Sequence, residues 1–278
     1  MARFILGHGL RRLGDTHGVV EGLLYRIDHA FFTLLLWLMR RLGPQSASRL
    51  GARIGAALGP RFKKSVALDE NLRIAFPAAS VPDRERIARE CWANAGAVLA
   101  EYAHIDTLGD LARGFVEARV LGDIAAFRDN SRPALFCTMH QANWELAGAA
   151  IVGLGAPLTV VYSPPTNPML DELLARWRSR IGAEMLARDE SMRPMIRALA
   201  AGRSLGIVMD RRVDSGRAVP FCGHPKPTTL IPARLAIRFG YQLVPLRVER
   251  TGPATIRATF HEPLAVPPGD DEVERATE

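Results

Sequence analysis

The sequence has few cysteines and no long apolar run at its N-terminus. Cys91, Cys137 and Cys222 lie far apart and form no CxxC pair or Cys/His cluster. This pattern argues against a disulfide framework and a structural zinc site, so we expect the functional part to face a reducing compartment. The uncharged stretch HAFFTLLLWLM at 29–39 is shorter than the roughly 20 apolar residues that a transmembrane helix needs.

Acidic residues are scarce in the first part of the chain. Residues 1–64 contain eleven Arg or Lys and three Asp or Glu, a charge of +8, whereas the whole chain carries +7 and the remaining residues therefore −1. A basic and apolar segment on a near-neutral body favours a surface of anionic lipid. Nucleic-acid binders usually interleave aromatic residues with a basic stripe or carry a groove-reading motif, and this sequence has neither.

The N-terminal helices therefore become candidates for membrane association. Trp37 beside Arg40 and Arg41 is typical of an anchor at headgroup depth. We predict that 1–65 forms basic, apolar, membrane-associating helices, with 29–39 shallowly inserted or spanning with a tilt. The alternative is a buried core helix that ends in solvated arginines.

The remainder, 66–278, has the pattern of an α/β domain. Apolar periodicity predicts a helix at 42–62, before this domain, and another at 81–105, within it. After residue 115, short apolar runs alternate with helical segments, which predicts a central, mostly parallel sheet covered by helices. The predicted strands lie at 115–122, 133–140, 157–165, 204–210 and 241–249, and the helices between them at 143–154, 169–182, 191–202 and 231–240.

The segment PALFCTMHQANWELAGAA carries the strongest candidate for catalysis. It predicts a strand to Thr138, a turn, and a helix with Asn143 as its N-cap. If His140 precedes the helix and Glu145 lies in its first turn, the carboxylate can hold one ring nitrogen and make the other a general base. The alternative is a structural histidine and a dipole-matched acid. The predicted helix after His140 contains no second His or Cys, which argues against zinc.

This segment resembles a known family. HQANWELAG has the His-x4-Asp/Glu motif of glycerolipid-type acyltransferases and is similar to the H-x-x-N-W-E of the lipid A biosynthesis late acyltransferases, the lauroyl/myristoyl, lysophospholipid-acyltransferase-like family. The stretches at 158–182 and 210–250 also resemble that family, and the resemblance runs from about residue 20 to about residue 265.

The resemblance implies acyl transfer from acyl carrier protein or acyl-CoA to a hydroxyl of a lipid A precursor. It assigns His140 as the base and Glu145 as the residue that orients it, with no metal or organic cofactor. The implied location is the cytoplasmic face of the cell inner membrane. The alternatives are acylation of another lipid (a lysophospholipid, an ornithine-type lipid or a mannosylated lipid) and a catalytically silent membrane-binding module.

Further residues are candidates for substrate binding. Val219–Gly223 suits the lining of an acyl tunnel or plain core packing, and Asp210 with its neighbouring arginines suits an acceptor headgroup or a surface ion pair. Ser163 stands where the family usually has Arg, so Arg211 is a candidate for the missing cation. Arg193, Arg197 and Arg203 suit an acidic carrier protein or a solvated helix face. The predicted substrate-binding residues are Asn143, Ser163, Asp210, Arg211, Phe221 and Gly223.

Overall fold

A computed structural model describes residues 18–122, 133–187, 192–214 and 216–264. The predicted α/β fold with a central, mostly parallel sheet is confirmed. These ranges contain nine strands: β1 Val116–Val120, β2 Ala134–Thr138, β3 Leu158–Tyr162, β4 Glu184–Ala187, β5 Ser204–Val208, β6 Arg217–Phe221, β7 His224–Thr228, β8 Gln242–Gly252 and β9 Thr255–Phe260. Seven form one sheet in the order β1-β9-β8-β2-β5-β3-β4, in which only β8 and β9 pair antiparallel. Strands β6 and β7 form a separate antiparallel hairpin.

Eight helices of at least two turns accompany these strands in the described residues. They are α1 Gly18–Arg40, α2 Pro44–Leu58, α3 Lys64–Ala75, α4 Val81–Glu101, α5 Glu145–Gly153, α6 Pro168–Arg178, α7 Arg193–Ala200 and α8 Ile231–Phe239. The start of α4 follows directly from the sequence, because the Ser80 hydroxyl accepts a hydrogen bond from the Asp83 N–H at 3.3 Å and Pro82 follows the cap.

The sheet is covered on both faces, as its continuous apolar strands predict. Along β2, Phe136 packs with Leu146 and Ile151 of α5, whereas Leu135 packs with Leu199 of α7 and with α8. Successive side chains of a strand point to opposite faces, so β2 is buried on both sides. Its carboxyl end is therefore fixed between two hydrophobic layers.

Helix α1 is apolar and long enough to cross a membrane by length and composition, the one such helix in the described residues. It nevertheless packs on the body along much of its length. The Asn167 side chain donates to the Tyr25 carbonyl at 3.1 Å, and Leu36 and Met39 are buried in a cluster that includes Leu173 of α6. Its other side exposes large apolar residues: Leu23, Ile27, Phe31, Leu34, Trp37 and Leu38.

Most predicted elements are confirmed, with shifted ends and several omissions. The helix predicted around 29–39 begins much earlier, at Gly18, and α3, β4, β7 and β9 were not predicted from the sequence. Strand β4 has four residues and too short a pattern to detect, and β7 alternates with prolines. The predicted domain boundary after residue 65 falls inside α3, and that division stays a prediction.

Candidate active site

His140 lies on the loop that joins β2 to α5. The predicted order of strand, turn and helix is confirmed, since β2 ends at Thr138 and α5 begins at Glu145. The turn is tight: the Gln141 N–H donates to the Met139 carbonyl at 2.7 Å, and Ala142 has a φ of 43°. A left-handed φ is uncommon outside glycine, so surrounding contacts must hold this loop in place.

The partner of the His140 ring is Asp210. Its Oδ1 lies 2.7 Å from His140 Nδ1, and its Oδ2 accepts the His140 backbone N–H at 3.0 Å. The pairing follows from the sheet, because β2 and β5 are neighbours with Thr138 opposite Val208. Two residues beyond each strand, His140 and Asp210 therefore meet. The pairing places the proton on Nδ1 and leaves Nε2 without a partner among the described residues.

The Asp210 carboxyl stays ionised in this environment. Its burial alone would raise its pKa, but the two hydrogen bonds from His140 and the nearby Lys226 charge lower the pKa below its usual value. Lys226 also donates to the Asp210 carbonyl at 2.5 Å. Asp210 was predicted as a substrate-binding residue, whereas its observed contacts are those of a group that orients the histidine.

The predicted contact between Glu145 and His140 is wrong. Glu145 instead accepts two hydrogen bonds from Arg178 of α6, at 2.6 and 2.9 Å, and a short one from the Tyr102 hydroxyl. The reason is geometric: Glu145 is the first residue of α5 and lies against the end of α6, while Asp210 is already beside the imidazole. His140 instead meets the Trp144 ring edge-on, with centroids 4.8 Å apart.

Within the Glu145 cluster, Glu145 and Arg178 form a largely buried ion pair. Side-chain exposure is 9% for Glu145 and 14% for Arg178, compared with 43% for His140. Burial opposes the charge on Arg178, but its bonds to Glu145 prevail and raise the pKa of the guanidinium. Burial and the Glu145 charge raise the pKa of Tyr102, so its hydroxyl remains protonated and donates. The two motif residues therefore have separate partners.

One cavity of about 530 Å³ nevertheless joins these two clusters. His140, Glu145, Arg178 and Tyr102 form part of its polar lining. Apolar residues of α5 and of the strands β2, β3 and β5 form the part of the lining that we call the apolar lobe. That lobe has room because small residues face it from the helix and from β5. Its lining there includes Phe136, Ala147, Gly148, Ile151, Leu158, Val160, Ile181 and Gly206.

The structure separates the other predicted site residues into two groups. Ser163 and Arg211 line the cavity, and their role in substrate binding stays a prediction. Phe221 and Gly223 do not: they belong to the β6–β7 hairpin, where Cys222 and Gly223 have φ of 50° and 76° and form its two-residue turn. The predicted acyl-tunnel role of this segment is not supported, because the Phe221 ring lies against the Lys226 ammonium, 4.6 Å away, and is half exposed.

Asn143 is not the N-cap of α5, although the sequence predicted it. No side-chain cap bond is made there. The Asn143 Nδ2 donates to the buried carboxylate of Glu101 at 2.8 Å, and its Oδ1, the atom that a cap would use, is buried without a hydrogen-bond partner among the described residues. Arg250 of β8 pairs with the same carboxylate, and Asn94 bonds both Arg250 and the Ala142 carbonyl, each at 2.9 Å. This buried network ties α4 and β8 to the β2–α5 loop and holds the left-handed Ala142.

Several of these residues could not be identified from the sequence. Tyr102, Glu101, Arg178 and Arg250 lie far from the motif in the chain and have no spacing that marks them. Arg203, a candidate either for a carrier-protein contact or for a solvated helix face, follows α7 and bonds Glu184 and the β3 backbone. Across the described ranges, no group of three or more His, Cys, Asp or Glu could hold a metal ion.

Comparison with known proteins gives one family match and several distant relatives. The sequence profile of the bacterial lipid A biosynthesis acyltransferases matches residues 22–278. The chain is similar to the lipid A biosynthesis palmitoleoyltransferase of Escherichia coli K12, with 27% identity over 66% of this chain and 59% of that enzyme. It is 29% identical to the phosphatidylinositol mannoside acyltransferase of Mycolicibacterium smegmatis, over 42% of this chain and 40% of that enzyme.

A weaker likeness concerns a solved structure, that of the 1-acyl-sn-glycerophosphate acyltransferase of Thermotoga maritima. The alignment covers 78% of this chain and 94% of that one at 15% identity, with a TM-score of 0.39. This likeness is too weak to transfer any feature of that enzyme. The chain also spans little more than half the length of its E. coli relative.

Proposed function

Because the chain belongs to the bacterial lipid A biosynthesis acyltransferase family, we propose that it moves a fatty acyl chain from a thioester donor to a hydroxyl of a lipid A precursor. The donor is acyl carrier protein or acyl-CoA. The observation that supports this most is a histidine with one nitrogen bonded to Asp210, at the polar end of a cavity with an apolar lobe.

The proposed mechanism uses His140 as the general base. Its Nε2 takes the proton of the acceptor hydroxyl while the hydroxyl oxygen attacks the thioester carbonyl carbon. The tetrahedral intermediate collapses as the carbon–sulfur bond breaks, and the leaving thiolate takes the proton back from His140. Asp210 holds the ring in the required tautomer and stabilises the transient imidazolium. All protons and electron pairs are accounted for with no metal or organic cofactor.

Glu145 takes a different role in this proposal from the one predicted. Its carboxylate neutralises Arg178 at the cavity wall, so that a cation can line an otherwise apolar space. The acyl chain occupies the lobe between α5 and the sheet. Its apolar surface would be removed from water there, which favours binding by about 0.8 kcal/mol per methylene.

For the acceptor, a lipid other than a lipid A precursor is an alternative. Ser163 replaces the arginine usual in the family, and a relative of this chain is named for acylating a phosphatidylinositol mannoside. Arg211 lines the cavity and is exposed, so it can supply the missing cation to a phosphate. Arg211→Ala should raise the KM for a phosphorylated acceptor and leave the donor KM unchanged. An unchanged acceptor KM would remove Arg211 from the site.

We also infer that the protein lies on the cytoplasmic face of the inner membrane through α1, without crossing it. Crossing would carry Asn167 and Asp106, which bond α1 residues, towards the hydrocarbon. An interfacial position buries the exposed apolar side of α1 and keeps Arg40 and Arg41 at headgroup depth. Deleting residues 1–42 should release the protein from membranes, and retention in the pellet would contradict this position.

The decisive experiment is transfer measured by lipid mass spectrometry. The full-length protein is incubated with acyl carrier protein or coenzyme A thioesters and with either a lipid A precursor or a lysophospholipid. We expect product from the precursor, and about a 10³-fold loss of rate in His140→Ala. His224→Ala, in the exposed hairpin, is the matched control. Full activity in His140→Ala would overturn the mechanism, and wild-type protein that binds membranes without any transfer would indicate a silent module.

A further inference from the structure

A second, smaller groove lies between α1 and α6, apart from the cavity of the proposed reaction. Its volume is about 210 Å³, and its lining is Thr33, Leu36, Trp37, Arg40, Leu173 and Trp177. Leu36 and Leu173 are buried, with 4% and 9% exposure. The groove therefore offers an alkyl segment an apolar base inside the protein, beside the side of α1 that exposes large apolar residues.

Each of the two helices carries a tryptophan whose ring is covered by a nearby arginine. The Arg41 guanidinium lies 4.4 Å from the Trp37 ring centroid, and the Arg180 guanidinium lies 4.6 Å from that of Trp177. Arg40 also approaches Trp177, at 5.8 Å. Tryptophan with arginine is the combination that membrane proteins place at headgroup depth.

More positive than negative side chains surround this groove. Asp106 pairs with Arg40 at 2.6 Å and with Arg180 at 3.3 Å, and the hydrogen bond from Arg40 lowers the pKa of Asp106 to about 2. Arg41 has no ion-pair partner among the described residues. Three guanidiniums thus face one carboxylate, which leaves a net charge of about +2 beside an apolar groove.

We propose that this groove is a binding site for an anionic phospholipid of the bilayer, with one acyl chain along Leu36 and Leu173 and its phosphate at the arginines. A free anion would gain nothing from the apolar base, and a neutral lipid would leave the excess cations uncompensated. The proposal rests on the membrane association proposed above and is independent of the chemistry at His140.

The test is thermal unfolding of the full-length protein in a neutral detergent, titrated with short-chain phosphatidylglycerol or with phosphatidylcholine of the same chain length. A ligand that binds the folded state raises the Tm in a saturable manner. We expect phosphatidylglycerol to do so and phosphatidylcholine to need roughly tenfold more lipid. Inorganic phosphate alone should give no saturable shift, and an equal shift with phosphate would reduce the site to a simple anion site and overturn the proposal.

Two variants separate this groove from general surface attraction. Thr33→Trp fills the groove from an exposed position of α1, and the double variant Arg41→Ala/Arg180→Ala removes the charge. Each should raise the half-saturating phosphatidylglycerol concentration about tenfold. Ala30→Trp, exposed on α1 but outside the lining, and Arg53→Ala on α2 are the matched controls. Equal losses in these controls, or an unchanged titration in both groove variants, would overturn the proposal.

A last comparison separates this inference from the proposed enzyme. His140→Ala should keep the full lipid-dependent rise in Tm while it loses acyl transfer. If the rise is present but wild-type protein transfers no acyl chain, the lipid site stands and the enzymatic proposal fails. If transfer occurs without any lipid-dependent rise in Tm, the enzymatic proposal stands and the lipid site fails.

Discussion

Two polar clusters face the same cavity but differ in burial and in partners. His140 and Asp210 lie at the carboxyl ends of neighbouring strands and are 43% and 26% exposed, whereas Glu145 and Arg178 are nearly closed off from solvent. Exposed pairs contribute little to stability, and a buried pair is costly to break. In the proposed mechanism the exposed pair therefore transfers the proton, and the buried pair keeps a compensated charge at the cavity wall.

The largest expected effect distinguishes the two carboxylates, Asp210 and Glu145. Asp210→Asn should lower kcat by about 10²-fold or more, because the amide would donate to Nδ1 and put the ring in the wrong tautomer. Glu145→Gln should leave that tautomer intact. Since Asp210 has a pKa below its usual value, it is ionised well below neutral pH and its own titration should not shape the rate near neutrality.

The pH dependence of kcat/KM gives a second test of which carboxylate orients His140. A carboxylate stabilises the imidazolium, so its loss makes the base harder to protonate and moves the acid limb of the profile to lower pH. We expect this movement in any residual activity of Asp210→Asn and no movement in Glu145→Gln. A limb that moves in Glu145→Gln alone would restore Glu145 as the orienting residue.

The next largest effect is on the free energy of unfolding. Here the change in the Glu145 cluster should have the larger effect and the change at Asp210 the smaller one. Glu145→Gln leaves the Arg178 charge buried without a counter-charge, which should reduce the free energy of unfolding by about 3 kcal/mol. Asp210→Asn, at a more exposed pair, should cost less than about 1 kcal/mol. Urea unfolding measures both. The double variant Glu145→Gln/Arg178→Met should recover most of the loss, and equal losses for both single variants would contradict the comparison.

The sequence predicted the fold more completely than the site. The β2–turn–α5 order is encoded locally, in an apolar run followed by NWELAG, and its position was correct within a few residues. The partner of His140 depends on which strand lies beside β2, and that order joins residues 70 positions apart. Knowing that β5 is the neighbour would have been enough to place Asp210. The Glu145 partners are Tyr102, directly after α4, and Arg178, at the end of α6, and no local pattern connects these positions with Glu145.

A smaller effect tests whether the buried network around Glu101 positions the β2–α5 loop. Asn94→Ala removes the bonds to the Ala142 carbonyl and to Arg250. Ser48→Ala removes the bond to the Glu101 carboxylate and the one from the Ala254 N–H without touching the loop. Each should cost about 1 kcal/mol of stability. Only Asn94→Ala should also reduce kcat, by roughly tenfold, because a small displacement of His140 impairs proton transfer. Equal kcat in both variants would make the network purely structural.

The smallest expected change lies in the apolar lobe, where neither cluster is disturbed. A Cβ on Gly206 would sit 3.5 Å from Leu158 and Val160, an ordinary contact, so Gly206→Ala should fold and merely take up space in the cavity. An added methyl in a hydrophobic pocket discriminates by about tenfold or more against the longest chain that fits. Competition between thioesters of different length should therefore shift the product towards shorter chains, with an unchanged acid limb. Gly22→Ala, with no neighbour within 4 Å, is the control. An unshifted product would place the acyl chain elsewhere, because a chain in this lobe must meet the new methyl.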